Sequence, residues 1–343
     1  MDTDAQGELL AAARRGDGRA FDALTAPHRR GLLAHCYRML GSVADADDAV
    51  QEALVRAWKY LPGYEARAAL RSWLFSIATR QCLDMLEKRP PRRFPSMDEG
   101  APSDPSRPPS AAVLDPVWLE PLADARWCEG PADETDGPEA TVTRRQSVAV
   151  AFLAALQTLP ATQRAALLLH DVAGWASAEI AEALETTPTA VNSALQRARG
   201  ALDARAPAWE RVPPLGSSVE TEALSRYLRA WNTGDPGALA SVLRADAVLA
   251  MPPVPDWYAG REAIRALFEG FIRGLGTQLI AAPATNGQPA FASYHPDPQD
   301  PTRLLLDGLQ VLHLDGDGAV VSVLVFLGPE AALAQGLPAA REA

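Results

Sequence analysis

Within residues 177–199, SAEIAEALETTPTAVNSALQRAR, hydrogen-bonding side chains share one face of an apolar repeat. Thr189, Asn192, Ser193, Gln196 and Arg197 carry the hydroxyl, amide and guanidinium groups that read base edges in a DNA major groove. Behind them Val191, Ala194, Leu195 and Ala198 recur at helical spacing, and Ile180, Ala181 and Leu184 do so on a shorter helix before them. Thr187-Pro188 offers an N-cap followed by proline at the first helical position. The spacing predicts two short helices around a tight turn, the second presented to DNA. A plain helical hairpin with a solvated polar face shows the same pattern. Glu185 stands where a helix end usually takes glycine, so the turn is expected to be differently shaped or mildly strained.

A chain of 343 residues accommodates two or three domains. No stretch is long enough to span a bilayer, and the start, MDTDAQGELL, lacks the pattern of a signal peptide. Cys36, Cys82 and Cys128 are far apart, which argues against a disulfide framework or zinc site and suits a reducing cytoplasm. Cys36 and Cys82 are expected as small core residues. No cofactor is called for.

The net charge of −11 is unevenly placed. Residues 1–95 hold 15 Lys/Arg against 12 Asp/Glu, whereas residues 96–145 hold 4 against 11. Residues 146–212 are near balance at 5 against 6, and the remainder has 8 against 14. DNA contact by the N-terminal part is therefore compatible with an acidic chain. Phosphate neutralisation supplies most non-specific affinity, so a partner must carry the main electrostatic burden.

Positioning elements follow from periodicity. Val43, Ala46, Val50, Ala53, Leu54, Ala57, Trp58 and Leu61 form one helical face, with carboxylates in the first turns. Residues 71–86, RSWLFSIATRQCLDML, form a second strong helix with Trp73, Leu74, Ile77, Cys82 and Leu86 inside. From Arg89 the chain turns to Pro, Ser, Asp and Glu, a linker unable to fold alone. An apolar island, VLDPVWLEPLADARW (113–127), interrupts it. Trp118, Leu119, Glu120 and Pro121 read either as a contact motif or as a packing anchor on a neighbouring domain. After Pro213-Pro214 come three helices, around residues 224–231, 239–243 and 260–268. An alternating strand then covers 303–314, and a turn at 315–318 leads to Val321, Val323 and Val325 as a hairpin.

These motifs, DADDAVQEALVRAW (45–58), RSWLFSIATRQCLDML (71–86) and the helix pair at 177–199, together resemble a bacterial extracytoplasmic-function (ECF) sigma factor, the promoter-recognition subunit of RNA polymerase. The resemblance implies that the 45–58 helix binds the clamp of core RNA polymerase through Asp47, Asp48, Gln51 and Glu52, with Leu54 and Val55 beside them. It implies that the next segment melts and reads the −10 element of promoter DNA. Holding flipped bases and a single strand needs aromatic groups and cations, which Lys59, Tyr60, Tyr64, Arg67, Arg71 and Arg80 supply. Trp73 is expected in the core. The −35 element falls to Thr187, Thr189, Asn192, Ser193, Gln196, Arg197 and Arg199, the last of which could hold phosphate alone.

The C-terminal part, with MPPVPDWYAGREAIRALF (251–268) and NGQPAF (286–291), resembles the SnoaL-like cone fold. Some ECF sigma factors carry this domain, often with a linker motif like WLEP. The expected fold class is multidomain: two all-α sigma domains, the second with a helix-turn-helix, joined by a Pro-rich linker, then an α+β cone-shaped SnoaL-like domain. The expected boundaries are 1–92 for the region 2-like domain, 93–142 for the linker and 143–212 for the region 4-like domain. The SnoaL-like domain follows at 217–330, with a tail at 331–343.

An acid–base role in the cone would fall to Asp246, Asp256, His295, Asp307 or His313. Asp307 and His313 read as sharing a strand face, but six residues along a strand span roughly 20 Å, too far for a dyad. The expected reading is a non-catalytic regulatory domain, acting in cis and docking on the sigma domains, with a small-molecule ligand left open. A SnoaL-type enzyme or ligand sensor fused to a DNA-binding module is the alternative.

Overall fold

The computed structural model describes residues 3–65, 69–88, 100–114, 118–128, 149–203 and 216–342. The chain forms two compact bodies: residues 1–91, 126–137 and 151–206 in the first, and 92–125, 138–150 and 207–343 in the second. Among the described residues no helix is long and apolar enough to cross a membrane.

The first body begins with five helices: α1 (Thr3–Arg14), α2 (Gly18–Thr25), α3 (Arg29–Leu40), α4 (Val43–Tyr60) and α5 (Leu70–Lys88). Their ends are fixed by local chemistry. Asp17 accepts from Arg19 N and Ala20 N at the start of α2, and Ser42 Oγ accepts from Asp45 N at the start of α4. Gly41 closes α3 at φ 71°, a backbone that only glycine adopts without strain. Ala46, Ala49, Ala53 and Ala57 of α4 are fully or almost fully buried, and these small residues let α3 and α5 approach closely. Cys36 and Cys82 are both buried as free thiols.

Inside this core His35 Nε2 meets Thr79 Oγ1 at 2.8 Å, while Thr79 Oγ1 donates to Phe75 O at 2.7 Å. The hydroxyl has one proton and spends it on the carbonyl, so Nε2–H is the donor to it. Burial, with Arg38 adding to it, lowers the His35 pKa to about 3, so the ring is neutral.

The first body continues through α6 (Asp124–Trp127), into which the chain passes from the other body, then α7 (Val150–Gln157) and α8 (Ala161–Leu167). A π-helical turn at Leu168–Val172 extends α8, and α9 (Ser177–Ala183) and α10 (Pro188–Asp203) complete the body. Ile180 and Ala181 of α9 pack with Val191, Leu195 and Ala198 of α10, as the periodicity required. The boundary expected at residue 143 for the region 4-like domain lies outside the described residues.

The second body has α11 (Ser218–Asn232), α12 (Pro236–Val242), β1 (Leu243–Ala250), β2 (Trp257–Ala259), α13 (Arg261–Leu267), β3 (Gln278–Thr285), β4 (Gln288–Asp297), β5 (Asp300–Leu314), β6 (Val320–Leu327), α14 (Glu330–Leu333) and β7 (Ala340–Glu342). The sheet order is β2-β1-β6-β5-β4-β3, with β7 paired to β5. The β5–β6 hairpin is the one the sequence indicated, but β1 pairs with β6 in parallel. One sheet face packs with the helices around Tyr227, Trp231, Phe268, Phe291, Leu312 and Val323. The other face buries Tyr294, Leu304, Leu306, Leu309, Val311 and Phe326. The tail expected after residue 330 contributes a strand: Arg303, Leu304 and Leu305 pair with Glu342, Arg341 and Ala340.

The uniform alternation expected along 303–314 is interrupted. Leu306 and Leu309 both face the outer cluster, so two residues, Asp307 and Gly308, take the place of one. The register with β4 shifts there. A Cβ on Gly308 would lie 2.5 Å from Phe326 O, so only glycine lets the strands close at this bulge. Asp307 and His313 therefore do not continue one row of side chains.

Part of the linker is folded against this body. Ser103 N donates to Trp257 O, Val113 N to Pro253 O, and Asn286 N to Leu122 O, each within 2.8–2.9 Å. Asn286 Oδ1 accepts from Leu122 N at 2.9 Å and Asp124 Oδ1 from Gly287 N at 2.8 Å. Trp118 is half-buried, its Nε1 donating to Val113 O at 2.7 Å, while Leu119 and Leu122 are buried. Pro121 of the WLEP segment is buried as well. The linker cannot bury surface by itself, so it borrows the backbone groups of the β3–β4 turn.

Candidate polymerase and promoter interfaces

On α4, Asp47, Asp48, Gln51, Glu52 and Val55 fall on one side, and Val55 is 62% exposed. Leu54, two turns on from Asp47, is buried with the apolar face of α4. Asp47 is engaged: Arg126 Nη2 donates to its Oδ1 at 2.7 Å and its Oδ2 at 2.8 Å. Nearby, Arg30 Nη1 donates to Cys128 O at 2.9 Å, and Trp127 is buried. Neither Arg126 nor Arg30 carried a sequence signal for this role.

The segment after α4 divides. Tyr60 is 58% exposed, with Lys59 Nζ 5.7 Å from its ring centroid. Arg71 is exposed and lies over the Phe75 ring at 5.3 Å. Tyr64 is buried, its ring 4.7 Å from that of Trp73, and burial raises its phenol pKa against the opposing pull of Arg14. Its exposed neighbour Tyr60 presents far more ring surface to solvent. Trp73, expected inside, is only half-buried and lines a cleft with Tyr60. Arg80 pairs with Glu185 at 2.7 Å. Arg67 lies outside the described residues.

In the helix pair, Thr187 Oγ1 accepts from Ala190 N at 3.2 Å, the expected N-cap. Thr189, Gln196 and Arg197 are exposed on the outer face of α10. Asn192 Oδ1 instead accepts from Ser177 Oγ at 2.7 Å, and Ser193 Oγ donates to Thr189 O at 3.0 Å. Arg199 pairs with Asp171, whose carboxyl is held below its ordinary value by hydrogen bonds from Arg199 and His170 that outweigh burial. Arg199 thus braces α10 on the preceding turn. The doubt over the turn is settled by Glu185, which adopts φ 53°.

The acid–base candidates of the second body are mostly committed to structure. Asp246 pairs with Arg244. Asp256 accepts from Ser103 Oγ at 2.8 Å and from Ser110 N, holding the linker. His313 Nδ1 meets Gln288 Nε2 at 3.0 Å. The bulge brings Asp307 within 3.8 Å of His295 on the next strand, a neighbour no single-strand pattern reveals.

Comparison with known proteins matches three family descriptions: sigma-70 region 2 over residues 24–90, sigma-70 region 4 over 149–202, and a SnoaL-like domain over 224–323. The ECF RNA polymerase sigma factor SigG of Mycobacterium tuberculosis is 43% identical over 294 residues, covering 84% of this chain and 76% of SigG. SigJ of the same species is 31% identical over 269 residues, covering 76% of this chain and 75% of SigJ. The crystal structure of M. tuberculosis SigJ shares the fold, with a TM-score of 0.58 at 23% identity, covering 91% of this chain and 98% of that one. Helical sigma domains followed by a SnoaL-like sheet domain recur in order, and the chain belongs to the ECF sigma factors, alternative promoter-recognition subunits that associate with core RNA polymerase to initiate transcription.

Proposed function

We propose that this sigma factor engages core polymerase through Asp47, Asp48, Gln51, Glu52 and Val55. Lys59, Tyr60, Arg71 and Arg80 then meet the melted −10 strand, and Thr189, Gln196 and Arg197 read the −35 element. It works in the cytoplasm, where polymerase and promoter are, and the SnoaL-like domain regulates it in cis rather than catalysing a reaction.

The observation that carries the regulatory reading is the Arg126–Asp47 pair. Arg126 follows by two residues Asp124, which accepts from Gly287 N at 2.8 Å. One short stretch of linker therefore both occupies a polymerase-binding carboxylate and is fastened to the SnoaL-like domain. Whatever shifts that fastening, a small molecule or a protein, changes the availability of α4. Run-off transcription by the full-length protein and its Arg126→Ala variant with core polymerase tests this. Higher core affinity in the variant supports cis-regulation through the linker, and equal affinity refutes it.

A further inference from the structure

The helical body contains a cleft of about 550 Å³, a volume in the range that holds a small organic molecule. Three aromatic side chains line it: Tyr60 at the end of α4, Trp73 of α5 and Trp175, two residues before α9. Such rings carry negative π faces, which attract a flat cation and stack with it.

The charged groups of the cleft differ in what they already hold. Arg56 pairs with Asp84 at 3.1 Å. Arg80 pairs with Glu185 at 2.7 Å and donates from Nε to Ala183 O at 3.0 Å. Both cations are thus engaged within the protein, which leaves little attraction for an anion. Glu179 and Glu182 also line the cleft, and among the described residues neither has a cationic partner. Glu179 Oε2 accepts from Ala176 N at 2.8 Å, a helix-start bond that leaves its charge in place. Glu182 stands in the last turn of α9, at the negative end of that helix and one turn from Glu179. Like charges one turn apart repel, and a ligand cation between them relieves the repulsion.

Trp175 points to a ligand independently. It is 9% exposed, yet among the described residues its indole N–H meets no acceptor. An indole N–H buried to this degree ordinarily finds one. In a cleft a bound molecule can supply it.

We infer that this cleft is a binding site for a planar aromatic cation that carries a hydrogen-bond acceptor. The ring system packs against Tyr60, Trp73 and Trp175, the charge faces Glu179 and Glu182, and the acceptor takes the Trp175 N–H. A small molecule thereby reaches the sigma domains directly, without acting through the SnoaL-like body. An aliphatic polyamine satisfies the carboxylates but neither the rings nor the indole, so it is the weaker ligand.

The test uses the full-length protein without DNA, and berberine, a planar, permanently charged and fluorescent cation with ether oxygens. Oxoberberine, of nearly the same shape but uncharged, and spermidine, charged but without rings, serve as competitors. Berberine emission is expected to report one saturable site, with each competitor at least about tenfold weaker. Glu179→Gln with Glu182→Gln keeps the helix-start bond and removes both charges. This exposed double substitution should weaken berberine about three- to tenfold at low salt, less at high salt, and leave oxoberberine unchanged. Trp73→Ala and Trp175→Phe, the second keeping a ring and losing the N–H, should each weaken berberine about two- to fivefold. Matching thermal melts show that the variants are folded. Berberine affinity unchanged in the double Gln variant, or in both folded tryptophan variants, overturns the site. So does equal affinity for berberine and either competitor, or no saturation below about 1 mM.

Discussion

Arg126 donates from a single nitrogen to both carboxylate oxygens of Asp47, at 2.7 and 2.8 Å, across 79 residues of chain. Both side chains are more than a third exposed, so the pair is worth at most about 1 kcal/mol. Arg126→Ala should therefore raise affinity for core polymerase by no more than about fivefold, with the gain shrinking as salt rises. Titration of labelled core polymerase at two salt concentrations reads this directly.

Asp48 and Glu52 are exposed on the same side of α4. Asp48→Arg with Glu52→Arg should abolish association with core polymerase while leaving the helical circular dichroism and melting temperature nearly unchanged, because exposed substitutions rarely cost more than about 0.5 kcal/mol. Retained association by a folded double variant would remove α4 from the polymerase interface.

Promoter choice should separate residues that the sequence grouped together. Arg197→Ala or Gln196→Ala should cost about 1–3 kcal/mol of specific promoter binding with normal stability. Arg199→Ala should instead loosen α10 by breaking the pair with Asp171, lowering thermal stability along with binding to every promoter. Parallel binding and melting measurements on the three variants distinguish the roles.

The buried imidazole makes a signed prediction about pH. His35 has a folded pKa near 3 against its ordinary 6.5, so between those values the unfolded chain binds a proton that the folded one excludes. Its contribution to stability is complete above pH 6.5 and is lost as pH falls, by up to about 1.4 kcal/mol per unit. The urea midpoint should fall further between pH 7.5 and 5.5 for the native protein than for His35→Asn. An equal slope in both would mean that His35 is not excluded from protonation.

Gly308→Ala places a methyl group 2.5 Å from Phe326 O, against backbone that cannot swing aside. It should destabilise the SnoaL-like body by about 1–3 kcal/mol, as overpacking does, and Gly200→Ala, with open space around its Cβ position, should not. Differential scanning calorimetry of the two variants provides the comparison.

What the sequence determined by itself is local and periodic. The stripe of Ala46, Val50, Ala53 and Ala57, the paired faces of α9 and α10, the Thr187 cap and the β5–β6 turn all follow from neighbours a few residues apart. Helical and strand periods act within one element, so they can be read without knowing what packs against it. Periodicity placed Leu54 on the apolar face of α4, where it is buried, whereas nothing local to Tyr64 signalled its burial. Tertiary structure alone decided which charged groups are already engaged: Arg126 on Asp47, Arg80 on the end of α9 some 103 residues away, Arg164 on the end of α3. It also decided that β1 runs parallel to β6, and that a bulge turns Asp307 toward His295. Such contacts depend on long-range closure of the chain, and a carboxylate or guanidinium has the same identity in a sequence whether it is free for a partner or held by its own protein.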